Sequence, residues 1–330
     1  MSKNVSPSVI IKSRVRLARN LVDYPFAPVL NDACRKEIIE KVESALDGYK
    51  KIDGENNKLL LSMLFEENKV SREFAAEEER HALFFDETEG VYIMVCEEDH
   101  LRLQAFADGL ALSEAGEKIL KISSKLGESL KYAYDNELGF LTHCPTNLGT
   151  ALRASVMMFL PALTISNRIG QLKSQLEKIG VTIRGIYGEG SSADACIYQI
   201  SNSLSLGINE TDIFKKIETV ASRIASDELN ARDAVFSVSN DKLTDKIMRS
   251  VGTLRYAHML SSKEFLDCYT YARLGISHNI VTEISIKDLD MLLYNAMPTH
   301  IALTCPESAN DHQKRDIIRA KTVRKIFKEE

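Results

Sequence analysis

The pattern of apolar and polar positions divides the chain into strand-like and helix-like segments. Alternation and short β-branched runs predict strands over residues 9–20, 59–65, 91–96, 101–106, 181–187 and 195–206. Helical spacing or composition predicts helices over residues 31–48, 66–81, 111–132, 165–178, 209–226, 243–260, 262–273, 286–294 and 311–328. Strand signals become rare in the last third of the chain. The pattern therefore predicts a mixed domain over 1–240 and a helical domain over 241–330.

The segment 141–155 concentrates reactive and anion-binding groups. Cys144 precedes a proline, which favours an extended backbone at the cysteine. Thr146 and Asn147 can cap a helix, and the apolar run that follows predicts that helix, with Arg153 in its early turns. A thiol, the free N–H groups of a helix start and a guanidinium in one segment predict an anion site beside a reactive cysteine.

The composition is that of an ordinary folded protein. The 330 residues, 44% hydrophobic and 27% charged, suit about two globular domains, and the net charge of −5 disfavours a surface that coats nucleic acid. No apolar run approaches the ~20 residues that span a bilayer, and the first residues lack a signal core. The six cysteines include no Cys-x-x-Cys pair, which indicates reduced thiols. We therefore expect a cytoplasmic protein.

Three other segments have both a functional and an ordinary interpretation. Arg14 and Arg16 share one face of the first predicted strand, about 6–7 Å apart, which suits neighbouring phosphate oxygens; a polar face in solvent is the alternative. The acidic run 97–99 is either a carboxylate site or a solvated turn between apolar strands. The glycine-rich segment 184–192 is either a ligand-binding flap or a plain hairpin connection.

Together these segments resemble the guanidino kinases, the family that phosphorylates guanidinium groups with ATP. The resemblance rests on five motifs: Ser-Arg-Val-Arg (13–16), Glu-Glu-Asp-His-Leu-Arg (97–102), Cys-Pro-Thr-Asn-Leu-Gly-Thr with Leu-Arg-Ala-Ser (144–155), Arg-Gly-Ile-Tyr-Gly-Glu-Gly (184–190) and Arg-Asp-x-x-Arg-Ala (315–320). It implies an α+β fold, with a curved, mostly antiparallel sheet flanked by helices and followed by a helical C-terminal domain. It also implies ATP and Mg²⁺ as cofactors, with the metal held mainly by the nucleotide and no protein metal site.

The resemblance implies a role for each motif residue. Contact with ATP is implied for Ser13, Arg14, Arg16, Arg102, Arg153, Ala154, Ser155, Val156, Met157, Arg184, Gly185, Tyr187 and Gly188. Glu98 and Glu189 would clamp the substrate guanidinium. A free guanidinium stays protonated at neutral pH and therefore needs a base, for which Glu98 is our choice. Asp99 would support Glu98, and Cys144, as a thiolate, would orient the guanidinium without covalent catalysis. His81 is the nearest candidate for the family's nucleotide histidine, but its surroundings do not match well enough to assign it.

Within the family, the sequence favours the branch that phosphorylates arginine residues of proteins. Tyr187 and Gly190 stand where kinases of free guanidino compounds commonly carry arginine and histidine. The first strand begins by residue 9, without the small helical domain that those kinases carry before it, so we expect an open acceptor side. The C-terminal motif implies allosteric phosphoarginine binding by Arg315, Asp316, Arg319 and Ala320. An exposed helix face is the alternative, since the two arginines lie at i and i+4.

The resemblance also implies a biological setting that the residues do not display. It includes a homodimer, a role in stress response and protein quality control, and a phosphoarginine mark for Clp-type degradation. The implied partners are protein substrates with exposed arginine, a zinc-binding McsA-like activator, a heat-shock repressor and a Clp protease, with no membrane or direct nucleic-acid contact. The competing functions are a phosphagen kinase of free arginine and a catalytically silent phosphoarginine-binding adaptor.

Overall fold

The computed structural model describes residues 7–186 and 194–327, and most of its strands form one large sheet. In the described residues the strands are β1 (Ile10–Arg19), β2 (Lys50–Asp53), β3 (Ala82–Asp86), β4 (Val91–Val95), β5 (Leu101–Asp108), β6 (Tyr134–Asp135), β7 (Gly139–Phe140), β8 (Leu152–Phe159), β9 (Val181–Gly185) and β10 (Ile197–Asn202). Eight of them form a sheet in the order β2-β3-β4-β5-β1-β8-β10-β9, and β6 pairs with β7 separately. Antiparallel pairing joins β2 through β8 in that order.

Helices flank the sheet and follow it. In the described residues the helices are α1 (Asp32–Ala45), α2 (Lys58–Glu66), α3 (Arg72–Ala76), α4 (Leu112–Ser129), α5 (Pro161–Ile165), α6 (Ile169–Glu177), α7 (Glu210–Tyr256), α8 (Ser262–Ser277), α9 (Ile286–Asn295), α10 (Pro298–Thr304) and α11 (His312–Arg324). Helix α1 begins as predicted, because Asn31 Oδ1 accepts a hydrogen bond from the Cys34 N–H. Helix α4 packs on β1 and β5 through a face that includes the fully buried Leu112 and Ile119. The predicted α+β class, with an antiparallel sheet flanked by helices and a helical C-terminal region, is confirmed.

Two predicted segments have the opposite secondary structure. The helix predicted after Asn147 is strand β8, whose residues from Ala154 onward are all buried, so that alternation disappears and the run cannot be told from a buried helix. The strand predicted over 59–65 is helix α2, which buries Leu61 and Leu64, one helical turn apart, in a core shared with Phe74.

Three further predictions of where helices begin or end were wrong. Within the predicted helix 66–81, Glu66 is the last residue of α2 and only Arg72–Ala76 forms a helix of its own. Ser71 caps that helix, α3, by accepting a hydrogen bond from the Phe74 N–H. The predicted helix 165–178 is interrupted between α5 and α6. Pro161 opens α5 rather than closing a helix, in keeping with the preference of proline for the first helical position.

The chain falls into two compact units. The first includes Gln171–Ile183, Gln199–Ile224 and the residues up to Met158, and the second includes Phe159–Gly170, Arg184–Tyr198 and the residues from Ala225. The boundary predicted at residue 240 falls within α7, next to Ser239, whose φ of −136° and ψ of 32° interrupt the helical conformation. That boundary stays a prediction. Within the described part of the chain, none of the helices has the length and hydropathy needed to cross a membrane.

Candidate active site

Arginines gather on one face of three neighbouring strands. In the register between β1 and β8, Arg16 lies opposite Arg153, and Arg14 shares the face of Arg16. Opposite residues of an antiparallel pair have Cβ atoms about 4.5–5.5 Å apart on the same face. On β5, Gln104 pairs with Arg16, and Arg102, two residues before Gln104, therefore belongs to this face as well. Four of the five arginines predicted to bind phosphate are thus brought together.

The positive charges on this face repel one another. Burial, followed by the charges of Arg14, Arg153 and Arg102, lowers the pKa of Arg16 well below its ordinary value, while Glu97 opposes the change. Arg16 Nε has no hydrogen-bond partner within the described ranges. Like charges directly opposite each other destabilise a sheet. An anion with several charges would relieve this repulsion, so the face is suited to a polyphosphate.

Strand β10 supplies neutral acceptors that aim two of the arginines. Gln199 Oε1 accepts from Arg14 Nη2 at 2.7 Å, and Ser201 Oγ accepts from Arg153 Nη2 at 3.0 Å. Gln199 and Ser201 are two residues apart and so share a face of β10. Their alternation is visible in the sequence, but the partners of that face become known only from the strand order.

Glu97 and Glu98, which are adjacent in the acidic turn of residues 97–100, have different surroundings. Both carboxylate oxygens of Glu97 lie 2.6 Å from Arg102 Nη1, and Ser71 Oγ donates to Oε1. Burial opposes the ionisation of Glu97, but Arg102 and the hydrogen bonds together lower its pKa. The Glu98 side chain is 36% exposed. Burial raises the pKa of Glu98, Arg102 opposes this rise, and Asp99 and Glu97 add to it. Glu97 is therefore the counter-ion of Arg102, whereas Glu98 is the carboxylate able to take up a proton.

Asp99 joins the acidic turn to the cysteine segment. The residue is fully buried, and its Oδ1 accepts hydrogen bonds from the His143 N–H at 2.8 Å and from Asn20 Nδ2 at 2.6 Å. Asp99 was predicted to support Glu98, and these two bonds connect it to the segment before Cys144. No local pattern in the sequence indicates the part of Asn20, although Asn20 directly follows β1.

Cys144 is partly buried at the start of a short turn. Its φ of −87° and ψ of 119° confirm the predicted extended backbone before proline. Its Sγ lies 3.0 Å from Thr146 Oγ1. The predicted helix start at Thr146 is wrong, because Pro145–Asn147 forms a single 3-10 turn that β8 follows. The thiol therefore lacks the N-terminus of a long helix, and the Thr146 hydroxyl is its hydrogen-bonding neighbour.

Two glycines fix the loop that follows the cysteine. A Cβ atom on Gly149 (φ +98°) would lie 2.4 Å from the Ser205 carbonyl oxygen, and one on Gly139 would lie 2.3 Å from the Gly149 oxygen. Ser205 Oγ also donates to the carbonyl oxygens of Asn147 at 3.1 Å and Leu148 at 2.8 Å. The close backbone approach predicted for Gly149 is confirmed.

The other predicted nucleotide residues fall in different places. Ser13 alternates with Arg14 and is buried on the opposite face, where its Oγ donates to the Gly109 oxygen at 2.8 Å. Four more follow Arg153 along β8: Ala154, Ser155, Val156 and Met157. All four are buried, and Ser155, opposite Arg14, adds a hydroxyl to the arginine face.

The predicted flap is described only at its first residues. Arg184 and Gly185 end β9, at one edge of the sheet. Tyr187, Gly188, Glu189 and Gly190 lie outside the described residues.

His81 is a core residue in this structure. Its ring packs edge-to-face against Phe74 with centroids 4.7 Å apart, and its Nδ1 lies 2.7 Å from the Glu79 oxygen. A Cβ atom on Gly54 would overlap the imidazole. A packing role therefore accounts for this histidine.

The first arginine of the C-terminal motif is buried on α11. Arg315 Nη1 donates to the carbonyl oxygens of Ser308, at 2.8 Å, and of Ala309. Its Nη2 lies 2.7 Å from His312 Nδ1. These contacts tie the start of α11 to the turn before it.

The second arginine of the motif is also enclosed. Arg319 is 1% exposed and donates to the carbonyl oxygens of Ala296 and Leu260, each at 2.7 Å, and to Asp316 Oδ1 at 2.5 Å. Ala320 is buried beside it. The alternative of a solvent-exposed arginine face is therefore wrong.

Comparison with known families matches both parts of the chain. The ATP:guanido phosphotransferase C-terminal catalytic domain matches residues 34–231, and the protein-arginine kinase McsB C-terminal domain matches residues 240–330. The protein-arginine kinase of Clostridium acetobutylicum is 39% identical over 295 residues, which cover 87% of each chain. That of Clostridium kluyveri is 37% identical over 335 residues, which cover 98% of this chain and 95% of the relative.

Solved structures of similar fold are also guanidino kinases. The duplicated taurocyamine kinase from Schistosoma mansoni, with bound transition-state-analogue components, gives a TM-score of 0.60 at 25% identity, over 69% of this chain and 34% of that one. Lombricine kinase gives a TM-score of 0.57 at 21% identity, over 68% of this chain and 67% of that one, which is a likeness of fold.

Proposed function

Since the chain belongs to the protein-arginine kinase family of ATP:guanido phosphotransferases, we propose that it transfers the γ-phosphoryl group of ATP to arginine side chains of proteins. One observation supports this most directly. Four arginines share one face of the sheet, and Arg102 of this face contacts both Glu97, at 2.6 Å, and Glu98, at 3.5 Å. Phosphoryl transfer requires positive charge at the phosphates and a carboxylate at the acceptor, and this face offers both.

The arginines would hold and align the triphosphate. Arg14 and Arg153 are aimed by Gln199 and Ser201, and Arg102 is aimed by Glu97, so little rotamer freedom is left to lose on binding. Arg16, whose Nε has no hydrogen-bond partner among the described residues, fits a phosphate oxygen. We also assign Arg184, Gly185, Tyr187 and Gly188 to the nucleotide site, with Ser155 and Met157, which share the strand face of Arg153. Ser13, Ala154 and Val156 point to the opposite face and would support the site from behind. Arginine contacts stabilise charge that develops on the transferred group.

Magnesium would be carried mainly by the nucleotide. Across the described residues there is no group of three or more histidine, cysteine, aspartate or glutamate side chains placed to hold a metal ion. Mg²⁺ commonly binds substrate phosphates and water rather than a dedicated protein cage. Mg²⁺ bound in this way would neutralise phosphate charge alongside the arginines.

The acceptor side needs a proton acceptor and an aligned nitrogen. A substrate guanidinium nitrogen forms the new N–P bond, the bond from the γ-phosphorus to the bridging oxygen breaks, and ADP leaves. The proton lost by the nitrogen passes to Glu98, whose raised pKa suits a base better than that of Glu97. Glu189 would clamp the other side, and Cys144 would stabilise and orient the guanidinium without forming a covalent bond.

Neutral-pH mass spectrometry tests this reaction directly. We would incubate the protein with Mg-ATP and casein, with free arginine in a parallel reaction, and avoid acid because the P–N bond is acid-labile. We expect phosphoarginine on casein, lost in Glu98→Gln and Cys144→Ser and retained in the control variants Glu137→Gln and Cys34→Ser. Phosphorylation of free arginine alone would favour the phosphagen kinase. No product with either acceptor would point to a required activator or to the phosphoarginine-binding adaptor.

We propose a regulatory site for phosphoarginine at Arg315, Asp316, Arg319 and Ala320. The McsB C-terminal domain family covers this motif, which supports the assignment. The proposal has to account for the hydrogen bonds that both guanidinium groups already make to backbone oxygens. A bound phosphoarginine would therefore use remaining N–H groups or displace some of these contacts.

The proposed setting of the enzyme follows the family. It comprises a cytoplasmic homodimer that marks proteins for Clp-type degradation under stress, with a McsA-like activator and a heat-shock repressor among its partners. Copurification of this chain with each candidate from stressed cells, and light scattering of the isolated chain, test these points separately.

A further inference from the structure

Asn20 lies where the arginine strand ends and two site loops meet. It directly follows β1 and is 1% exposed. Its Nδ2 donates to Asp99 Oδ1 at 2.6 Å and to the Leu141 oxygen at 3.0 Å, and its Oδ1 accepts from the His100 N–H at 2.9 Å. All three partners of the amide belong either to the acidic turn or to the segment before Cys144.

The backbone of Asn20 strengthens the same junction. Its carbonyl oxygen accepts from the Ala133 N–H at 2.7 Å, and the Ala133 oxygen accepts from the Leu141 N–H at 2.9 Å. Asp99, held by Asn20, in turn accepts from the His143 N–H at 2.8 Å. The segment before Cys144 is therefore attached to Asn20 directly, through Ala133 and through Asp99.

We infer that Asn20 is a positioning residue that holds Cys144 and Glu98 in a fixed relation, so that both face the same acceptor guanidinium. The inference rests on the proposed function for its catalytic meaning. Glu98 lies between Glu97 and Asp99 in the acidic turn, and Cys144 directly follows His143. The amide of Asn20 bridges the two loops and makes no contact with the phosphate-binding arginines in its side-chain hydrogen bonds.

Asparagine is the residue type that this junction requires. One end of the side chain must donate to a carboxylate and a carbonyl, and the other must accept from a backbone N–H, which defines the orientation of the amide. Aspartate would place a second negative charge against Asp99, and alanine would leave several buried polar groups without a partner. Asp99 Oδ2, buried and without a partner among the described residues, offers no alternative attachment.

The decisive variant is Asn20→Ala, compared with Asn31→Ala. Asn31 also accepts a backbone N–H through its side chain, at the start of α1, and serves as the control for a lost asparagine hydrogen bond. We expect Asn20→Ala to lower kcat about 100-fold through misplacement of reacting groups, with KM for ATP changed less than about twofold. Asn31→Ala should retain kcat.

A thiol measurement tests the junction without any kinase turnover. Iodoacetamide labelling, followed by peptide mass spectrometry, gives the alkylation rate of Cys144, with Cys34 of the same molecules as the internal reference. We expect Cys144 to react several-fold faster in Asn20→Ala, because its segment is released, and Cys34 to be unchanged. This rate decides the role of Asn20 even if the isolated wild-type protein shows no turnover, so that the two proposals can fail separately.

Exchange of the two side chains provides the rescue. In Asn20→Asp the two carboxylates repel, whereas Asn20→Asp combined with Asp99→Asn restores one donor and one acceptor across the pair. We expect the double variant to exceed Asn20→Asp by about tenfold in kcat. A folded Asn20→Ala with unchanged kcat and an unchanged Cys144 rate would overturn the inference. A fall in kcat matched by an equal-fold rise in KM for ATP, without rescue in the double variant, would show that Asn20 only supports the fold.

Discussion

Arg16 of the sheet and Arg273 of the C-terminal helices are buried in opposite ways. Arg16 lies among three other arginines, and its Nε has no partner in the part of the chain that the structure describes. Arg273 on α8, 1% exposed, instead places Nε 2.8 Å from Asp290 Oδ1 and Nη2 3.1 Å from Asp290 Oδ2. Arg319 is likewise enclosed by two carbonyl oxygens and a carboxylate. Arg16 therefore marks a place that an anionic ligand can complete, whereas the charge of Arg273 is already balanced within the fold.

The largest contrast should come from Arg16→Met. Loss of one charge aimed at the transferred group should lower kcat/KM about 100- to 1000-fold. The unfolding midpoint should stay the same or rise, since the substitution removes like-charge repulsion. Steady-state kinetics and thermal unfolding measure the two effects, with the exposed Arg168→Met as the control. A clear loss of stability would show that Arg16 has a structural role.

Arg273→Met should show the reverse behaviour. It leaves Asp290 without its partner, and we expect the free energy of unfolding to fall by about 3 kcal/mol. Urea denaturation measures this change, and Arg273→Met combined with Asp290→Asn should recover part of it. A loss below about 1 kcal/mol would show that this buried pair contributes little.

Arg315 combines features of Arg16 and Arg273. Its guanidinium already donates hydrogen bonds to carbonyl oxygens, and yet it is proposed to bind a ligand. Free phosphoarginine at 100 times its Kd should stabilise the wild-type protein by about 2.7 kcal/mol, seen as a raised unfolding midpoint. Arg315→Lys should lose this response, and arginine with inorganic phosphate should not reproduce it. An unchanged midpoint with phosphoarginine would place Arg315 among the structural arginines.

The smallest effect concerns the protonation of Glu98. A base works only when ionised, so kcat/KM should fall as the pH is lowered through the raised pKa of Glu98. Asp99 contributes to that rise, and Asp99→Asn should therefore move the acid limb of the pH profile to lower pH, by less than about one pH unit. An acid limb that does not move would assign it to another group.

The sequence predicted the residue types of the site better than their arrangement. Alternation in β1 was sufficient to place Arg14 and Arg16 on one face, because a strand has a period of two whatever its neighbours are. Arg153 was predicted on a helix, since β8 is buried on both faces and its apolar run carries no alternation. Its position opposite Arg16 depends on the order of strands, which local patterns do not contain.

Polar residues with several long-range partners were the least predictable. Asn20 has no local peculiarity, and its importance comes from distant partners such as Asp99 and Leu141. Arg315 and Arg319 were expected to share a helix face, which is a local property, whereas their burial depends on turns elsewhere in the chain.

The central place of β1 has a consequence for synthesis on the ribosome. Arg14 is made early, yet its side chain is aimed by Gln199, 185 residues later in the chain. At about 5–20 residues per second, roughly 10–40 s separate the two. Until β8 and β10 have emerged, the nascent chain has no assembled arginine face. Nascent chains that stop before β10 should therefore bind no ATP, which delays phosphate recognition until the sheet is nearly whole.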